Sequence, residues 1–89
     1  IISLGPSTTI ARIVSSFPDI ANKIDRLIIQ GGAIHIPGDI SSIEPDNVNK
    51  FAEWNFYLDP KAAKILINSA IPLTLIPLNV IHKSPVTIK

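Results

Sequence analysis

The chain has no cysteine and no methionine, and its 89 residues include only four glycines and five aromatics. Without cysteine there is no disulfide framework and no thiolate chemistry, which fits a cytoplasmic protein. Acidic and basic residues nearly cancel, leaving a formal net charge of +1. The lysines and arginines are scattered rather than clustered, which argues against an electrostatic nucleic-acid surface. There is no apolar run of about 18 residues to span a membrane, and no charged leader with a cleavage site. The longest apolar stretch, Ile71 to Val80, is interrupted by Pro72, Pro77 and Asn79 and reads as a buried strand.

What is present is largely aliphatic. Hydrophobic residues make up 46% of the chain, and the mean hydropathy is +0.36. So small a domain has too much surface to hide that many Ile and Leu side chains. The chain also opens inside an apolar run, Ile1-Ile2. It is therefore expected to be an internal segment of a larger α/β protein, or to pair with another chain.

Helical and extended patterns alternate, which points to a mostly parallel open sheet with flanking helices. Ile1 to Leu4 reads as the end of a strand, closed by Gly5-Pro6. Ser7-Thr8-Thr9 can cap a helix to about Ser16, with Ile10, Ile13 and Val14 on one face. Pro18 suits the first turn of a short helix from Asp19 to Lys23. Arg26 to Gln30 has the continuous apolar character of a parallel strand covered on both faces. Gly31-Gly32 then places flexible backbone at that strand's carboxyl end, the edge where open α/β sheets bind ligands. His35 to Asn49 reads as a long loop. Asp59-Pro60 is a strong helix start, with Ala62, Ala63, Leu66 and Ile67 on the inner side and Lys61 and Lys64 towards water.

The densest chemistry lies between that loop and that helix. Four of the five aromatics, Phe51, Trp54, Phe56 and Tyr57, fall within seven residues. Glu53 and Asn55 alternate with Trp54 and Phe56, so an extended segment would show both polar groups on one face. The plain reading is a half-exposed edge strand. The functional reading adds Asn47 from the loop, because a carboxylate with two amides can orient a ligand rich in hydroxyls.

The bland readings prevail elsewhere. His35, between isoleucines, reads as a packed histidine with one hydrogen-bond partner, and His82 as a surface residue ending the last strand. Asp39, Glu44 and Asp46 lack EF-hand spacing and read as solvated loop charges. Gly31-Gly32 lacks the spacing of a dinucleotide-binding turn. Ser7, Thr8 and Thr9 have no His or Asp partner at a recognisable spacing.

Several stretches in register resemble the inosine–uridine-preferring nucleoside hydrolases. They are Leu4-Gly5-Pro6-Ser7-Thr8-Thr9-Ile10-Ala11, Gly31-Gly32-Ala33, Asn47, Ala52-Glu53-Trp54-Asn55, Asp59-Pro60-Lys61-Ala62-Ala63 and Ile71-Pro72 through Leu78-Asn79. The resemblance covers nearly the whole chain. It implies a Rossmann-like α/β fold, with residues 1–89 as an internal fragment of one domain. It also implies hydrolysis of the N-glycosidic bond of a small-molecule ribonucleoside to ribose and free base, in nucleoside salvage. By the same resemblance Asn47, Glu53 and Asn55 contact ribose hydroxyls, and Leu4 ligates Ca²⁺ through its backbone carbonyl. The intact protein is then expected to be a homo-oligomer.

Departures from the family pattern shape the expectation. The family's N-terminal aspartates, which supply metal carboxylates and the catalytic base, would precede Ile1. Its later histidine and neighbouring aspartate would follow Lys89. No catalytic residue is therefore assigned here, and the segment alone is expected to be inactive. Thr9 stands where the family usually has Asn, and Gln30 where it usually has Met. Two other readings stay open: a degenerate ribose-binding protein without catalysis, and a structural α/β segment whose aromatic patch serves assembly.

Overall fold

The computed structural model describes residues 1–85 and 87. Three parallel strands, β1 (Ile2–Ser3), β2 (Leu27–Gln30) and β3 (Leu73–Ile76), form one sheet in that order. Ile2 faces Ile28 across the first pair, and Leu27 to Gln30 face Leu73 to Ile76 across the second. Parallel neighbours need crossovers, and the helices supply them. α1 (Thr8–Ser16) and α2 (Pro18–Ala21) link β1 to β2. Between β2 and β3 come α3 (Ile40–Ile43), α4 (Trp54–Leu58) and α5 (Pro60–Ile67), and α6 (Leu78–Ile81) follows β3.

The expected sheet and flanking helices are thus present. The core lies on one face of the sheet, where Leu27 and Ile29 meet Ala11 of α1 and Ala62 and Leu66 of α5, with Ile71 behind them. Burying side chains such as Leu27, Ile29 and Leu66 stabilises the fold by about 2 kcal/mol each. β2 alternates buried and half-buried residues rather than being covered on both faces. That corrects the reading of a doubly covered strand. Ile28, Thr74 and Ile76 remain half-exposed and Ile2 is exposed.

Other local expectations change with tertiary context. Ile71 to Val80 is not one strand: β3 ends at Ile76, and Pro77, extended at φ −80°, introduces α6. His82 therefore closes a helix, not a strand, and is exposed. Ser7 occupies the N-cap of α1 but makes no side-chain cap. Its hydroxyl is buried without a partner among the described residues. Thr8 instead reaches across to α5, donating to Asp59 Oδ2 at 2.6 Å. Ile13 is exposed, so the inner face of α1 is Ile10, Ala11 and Val14. Ile67 likewise points outward, because only Ala62, Ala63 and Leu66 of α5 meet the core. Asp59-Pro60 starts α5 as its residues require, with Asp59 Oδ1 accepting from Ala62 N–H at 3.0 Å.

Candidate functional site: a carboxylate–amide cluster at the carboxyl edge of the sheet

β2 ends at Gln30, and the next two residues are glycines for a steric reason. A Cβ on Gly31 would lie 2.3 Å from Phe56 Cε1, and Gly32 adopts φ +83°. The chain therefore turns tightly against α4 and aims the Gly32 N–H at Glu53. Glu53 is not in a strand; it is the N-cap of α4, which corrects the extended reading of Glu53 to Phe56. Glutamate is not among the preferred N-cap residues, so local pattern gave little warning. The warning lay in Glu53 to Leu58 itself, where no helix breaker interrupts the run and Trp54 and Tyr57 stack at helical spacing, 6.4 Å between ring centroids.

The Glu53 carboxylate is buried and occupied on both oxygens. Oε1 accepts from Asn55 N–H at 3.0 Å and from Gln30 Nε2 at 3.4 Å. Oε2 accepts from Gly32 N–H at 2.9 Å and from Phe56 N–H at 3.1 Å. These bonds cap α4 and join it to the end of β2. A carboxylate is an acceptor for all four donors, so the side chain is held by the fold rather than by chance contact. The longest of the four, from Gln30, is the one a ligand hydroxyl could most easily replace.

Asn55 is also buried, and its amide orientation follows from its neighbours. Nδ2 donates to the Gln30 carbonyl at 3.1 Å, to Gln30 Oε1 at 2.5 Å and towards the Leu4 carbonyl at 3.4 Å. With the amide flipped, its oxygen would face three other oxygens. Oδ1 is thereby left as an acceptor, with no donor to it among the described residues. Leu4, just past the end of β1, has its side chain exposed, and among the described residues its carbonyl receives that long contact from Asn55 alone.

The structure thus brings together three of the residues singled out from sequence, Leu4, Glu53 and Asn55. It adds Gln30, which sequence reasoning had noted only as an unusual residue before the double glycine. An amide ending an otherwise aliphatic strand was the available signal.

Asn47 stands apart. Its Nδ2 donates to Tyr57 Oη and to Glu44 Oε2, both at 2.9 Å, and its Oδ1 accepts from Asn49 N–H at 2.8 Å. No hydrogen bond among the described residues joins it to the Glu53 cluster. It belongs to the excursion from Asp39 to Lys50, which is not bare loop but contains α3, anchored by fully buried Ile40. The excursion is closed at its neck. Gly38 N–H donates to the Lys50 carbonyl at 3.0 Å, and Asp39 Oδ1 accepts from Trp54 N–H at 2.8 Å. Asp39 is therefore a tether rather than a solvated charge. No group of three His, Cys, Asp or Glu able to hold a metal occurs among the described residues.

His35 is exposed and left-handed at φ 55°, not packed as expected. It lines an open cavity of about 410 Å³ with Ala33, Ile36, Pro37, Lys50 and Phe51, which contains none of the polar cluster. No helix among the described residues is long and apolar enough to cross a membrane.

Fold and site define a class: a parallel α/β domain with a cluster of hydrogen-bonding side chains at the carboxyl edge of its sheet. Comparison with known proteins gives the particular family. The family model for inosine-uridine preferring nucleoside hydrolase matches residues 1–89. A pyrimidine-specific ribonucleoside hydrolase, RihA, of Escherichia fergusonii is 37% identical over 89 residues, covering 100% of this chain and 26% of that protein. The crystal structure of an inosine-uridine preferring nucleoside hydrolase from Bacillus anthracis superposes with a TM-score of 0.83 at 35% identity, covering 97% of this chain and 28% of that one. A plant nucleoside hydrolase does so with a TM-score of 0.79 at 36% identity, covering 93% of this chain and 24% of that one. The chain belongs to the inosine–uridine preferring nucleoside hydrolase family. It spans about a quarter of the length of the relatives it matches.

Proposed function

We propose that this chain forms the ribose-recognition part of an enzyme that hydrolyses the N-glycosidic bond of ribonucleosides, releasing ribose and free base. The observation that carries this reading is the buried pair Glu53 and Asn55, whose acceptor oxygens are fixed at the carboxyl edge of the sheet. Acceptors held rigidly in place suit a ligand whose hydroxyls donate. Glu53 and Asn55 would take ribose hydroxyls, with Asn47 adding a contact from the neighbouring excursion. Ribonucleosides are proposed as a class, since the relatives' names include both pyrimidine-specific and inosine–uridine preferring enzymes.

Glycosidic cleavage of this kind builds positive charge on the sugar ring. The role open to Glu53 is therefore to hold the sugar and favour that charge electrostatically. Both of its oxygens already accept from backbone N–H groups, so Glu53 is assigned to holding the sugar and the activation of water to a group outside the cluster. Residues 1–89 alone would accordingly turn over no nucleoside.

The Leu4 carbonyl fits one position of a Ca²⁺ site: it belongs to an exposed residue at the sheet edge, receives a single long hydrogen bond among the described residues, and calcium accepts carbonyl ligands. Bound there, the ion would supply a Lewis acid for the sugar oxygens and a bound water. The exposed apolar side chains of Leu4, Val48 and Phe51 support burial against further polypeptide, and a homo-oligomer is the assembly proposed.

The test is direct. The full-length protein is incubated with inosine and with uridine, and free base and ribose are followed by chromatography. Release from either is the expected outcome. Ribose binding without any release would replace the enzyme by a binding protein.

A further inference from the structure

We infer that Gln30 determines which hydroxyl pattern the site accepts, by placing a hydrogen-bond donor between the acceptors of Glu53 and Asn55. The inference rests on the ribonucleoside reading above and deepens it.

The geometry leaves the Gln30 carboxamide one orientation. Its Oε1 accepts from Asn55 Nδ2 and its Nε2 donates to Glu53 Oε1 at 3.4 Å. The opposite orientation would set an amide oxygen against the carboxylate and two N–H groups against each other. An amide nitrogen carries two hydrogens. One makes the long bond to Glu53, and the other has no acceptor among the described residues. Gln30 is half-buried, and its carboxamide is held between Asn55 and Glu53.

Across one short span the edge thus presents an acceptor on Asn55, a donor on Gln30 and an acceptor on Glu53. The complement is donor, acceptor, donor, which two neighbouring hydroxyls of a furanose provide. One hydroxyl donates to Glu53 while its oxygen accepts from Gln30, and the other donates to Asn55. A sugar lacking one of the two would leave either the second Gln30 N–H or Asn55 Oδ1 without a partner, the circumstance in which sites built to hydrogen-bond a hydroxyl discriminate most strongly.

Gln30 can be replaced without dismantling its neighbours. Glu53 keeps three backbone N–H partners, and Asn55 keeps the Gln30 main-chain carbonyl. The role therefore separates from simple scaffolding. It is tested in the full-length protein with Gln30→Met and Gln30→Leu. The readout is kcat/KM for uridine relative to its 2′-, 3′- and 5′-deoxy analogues, with thermal melting as the check on folding.

The expected result is a loss of discrimination against at least one analogue by about tenfold in both variants, carried by KM more than by kcat. Unchanged ratios for all three analogues in folded variants would overturn the inference while leaving the hydrolase reading intact. Absence of hydrolysis by the unsubstituted protein would instead overturn the hydrolase reading. A second measurement needs no variant: titration of the native protein with D-ribose, observing the Gln30 side-chain amide by NMR. A saturable shift of that resonance is expected, and saturation of binding with the resonance unmoved would overturn the inference.

Discussion

The Glu53–Asn55–Gln30 cluster and the Asp39–Lys50 excursion both carry polar residues, yet they are held in opposite ways. In the cluster each polar side chain is buried or half-buried; Glu53 and Asn55 are tied to backbone at the ends of β1 and β2, and the Gln30 side chain is tied to both of them. In the excursion the polar side chains tie mainly to one another and to nearby loop backbone, while Val48 and the adjoining Phe51 stand exposed at 92% and 81%. Removing Glu53 from the first must disturb the fold, because buried N–H groups lose their acceptor. Removing a polar group from the second leaves water to replace it. Site geometry is therefore built into the sheet edge, and adaptability is left to the excursion.

The sharpest way to break this contrast is Glu53→Ala. It would leave the N–H groups of Gly32, Asn55 and Phe56 without their acceptor, and stability should fall by about 3 kcal/mol or more. Urea denaturation of the full-length protein measures it. A loss under about 1 kcal/mol would mean that water reaches those groups and that the cluster is not preformed.

Next in size is Gly38→Ala. A Cβ there would lie 1.9 Å from the Ala52 carbonyl oxygen, a backbone atom with little room to yield. The neck should open at a cost of about 2 kcal/mol, and limited proteolysis should shift to cleavage between Asp39 and Lys50. An unaltered cleavage pattern would show that the neck does not restrain the excursion.

Asn47→Ala sharpens the contrast from the other side. Its partners Tyr57 and Glu44 are exposed, so stability should change by only about 0.5 kcal/mol. If Asn47 contacts ribose, KM for uridine should nevertheless rise about tenfold, a separation of binding from stability that Glu53 cannot show. An unchanged KM would remove Asn47 from the site.

The smallest effect concerns the tie between α1 and α5. The Asp59 carboxyl lies below its ordinary value of 3.8, first because Thr8 donates to it and next because the Ala62 N–H does. A lowered folded value means that its contribution is fully present above the unfolded value and fades as pH falls through the folded one. Stability should therefore decline as pH falls below about 4, and Thr8→Val should flatten that decline by lowering stability at neutral pH while leaving the acid limit little changed. Urea midpoints at pH 2 to 6 for both proteins decide it. Parallel curves would show that Thr8 does not set the Asp59 titration.

Much of this molecule was legible where the cause is local. Asp59-Pro60 starts a helix because Asp caps and Pro is preset, and neither needs a distant partner. The strand at Leu27 to Gln30 was legible because a short aliphatic run ending at a double glycine has few alternatives. Glu53 was singled out as a candidate site residue, but its conformation was misread, since Glu-Trp-Asn-Phe alternates like a strand. The N–H of Gly32, 21 residues away in sequence, helps to fix the carboxylate of a helix cap there.

The sequence by itself determined the parallel α/β class, the helix starting at Asp59-Pro60 and the family, because these follow from residue order and local chemistry. Only the tertiary structure decided that Glu53 begins a helix, that Gln30 joins Glu53 to Asn55, and that Asn47 lies outside their network. Those outcomes depend on where buried N–H and C=O groups find partners, and such partners are set by chain segments that meet only when the sheet has formed.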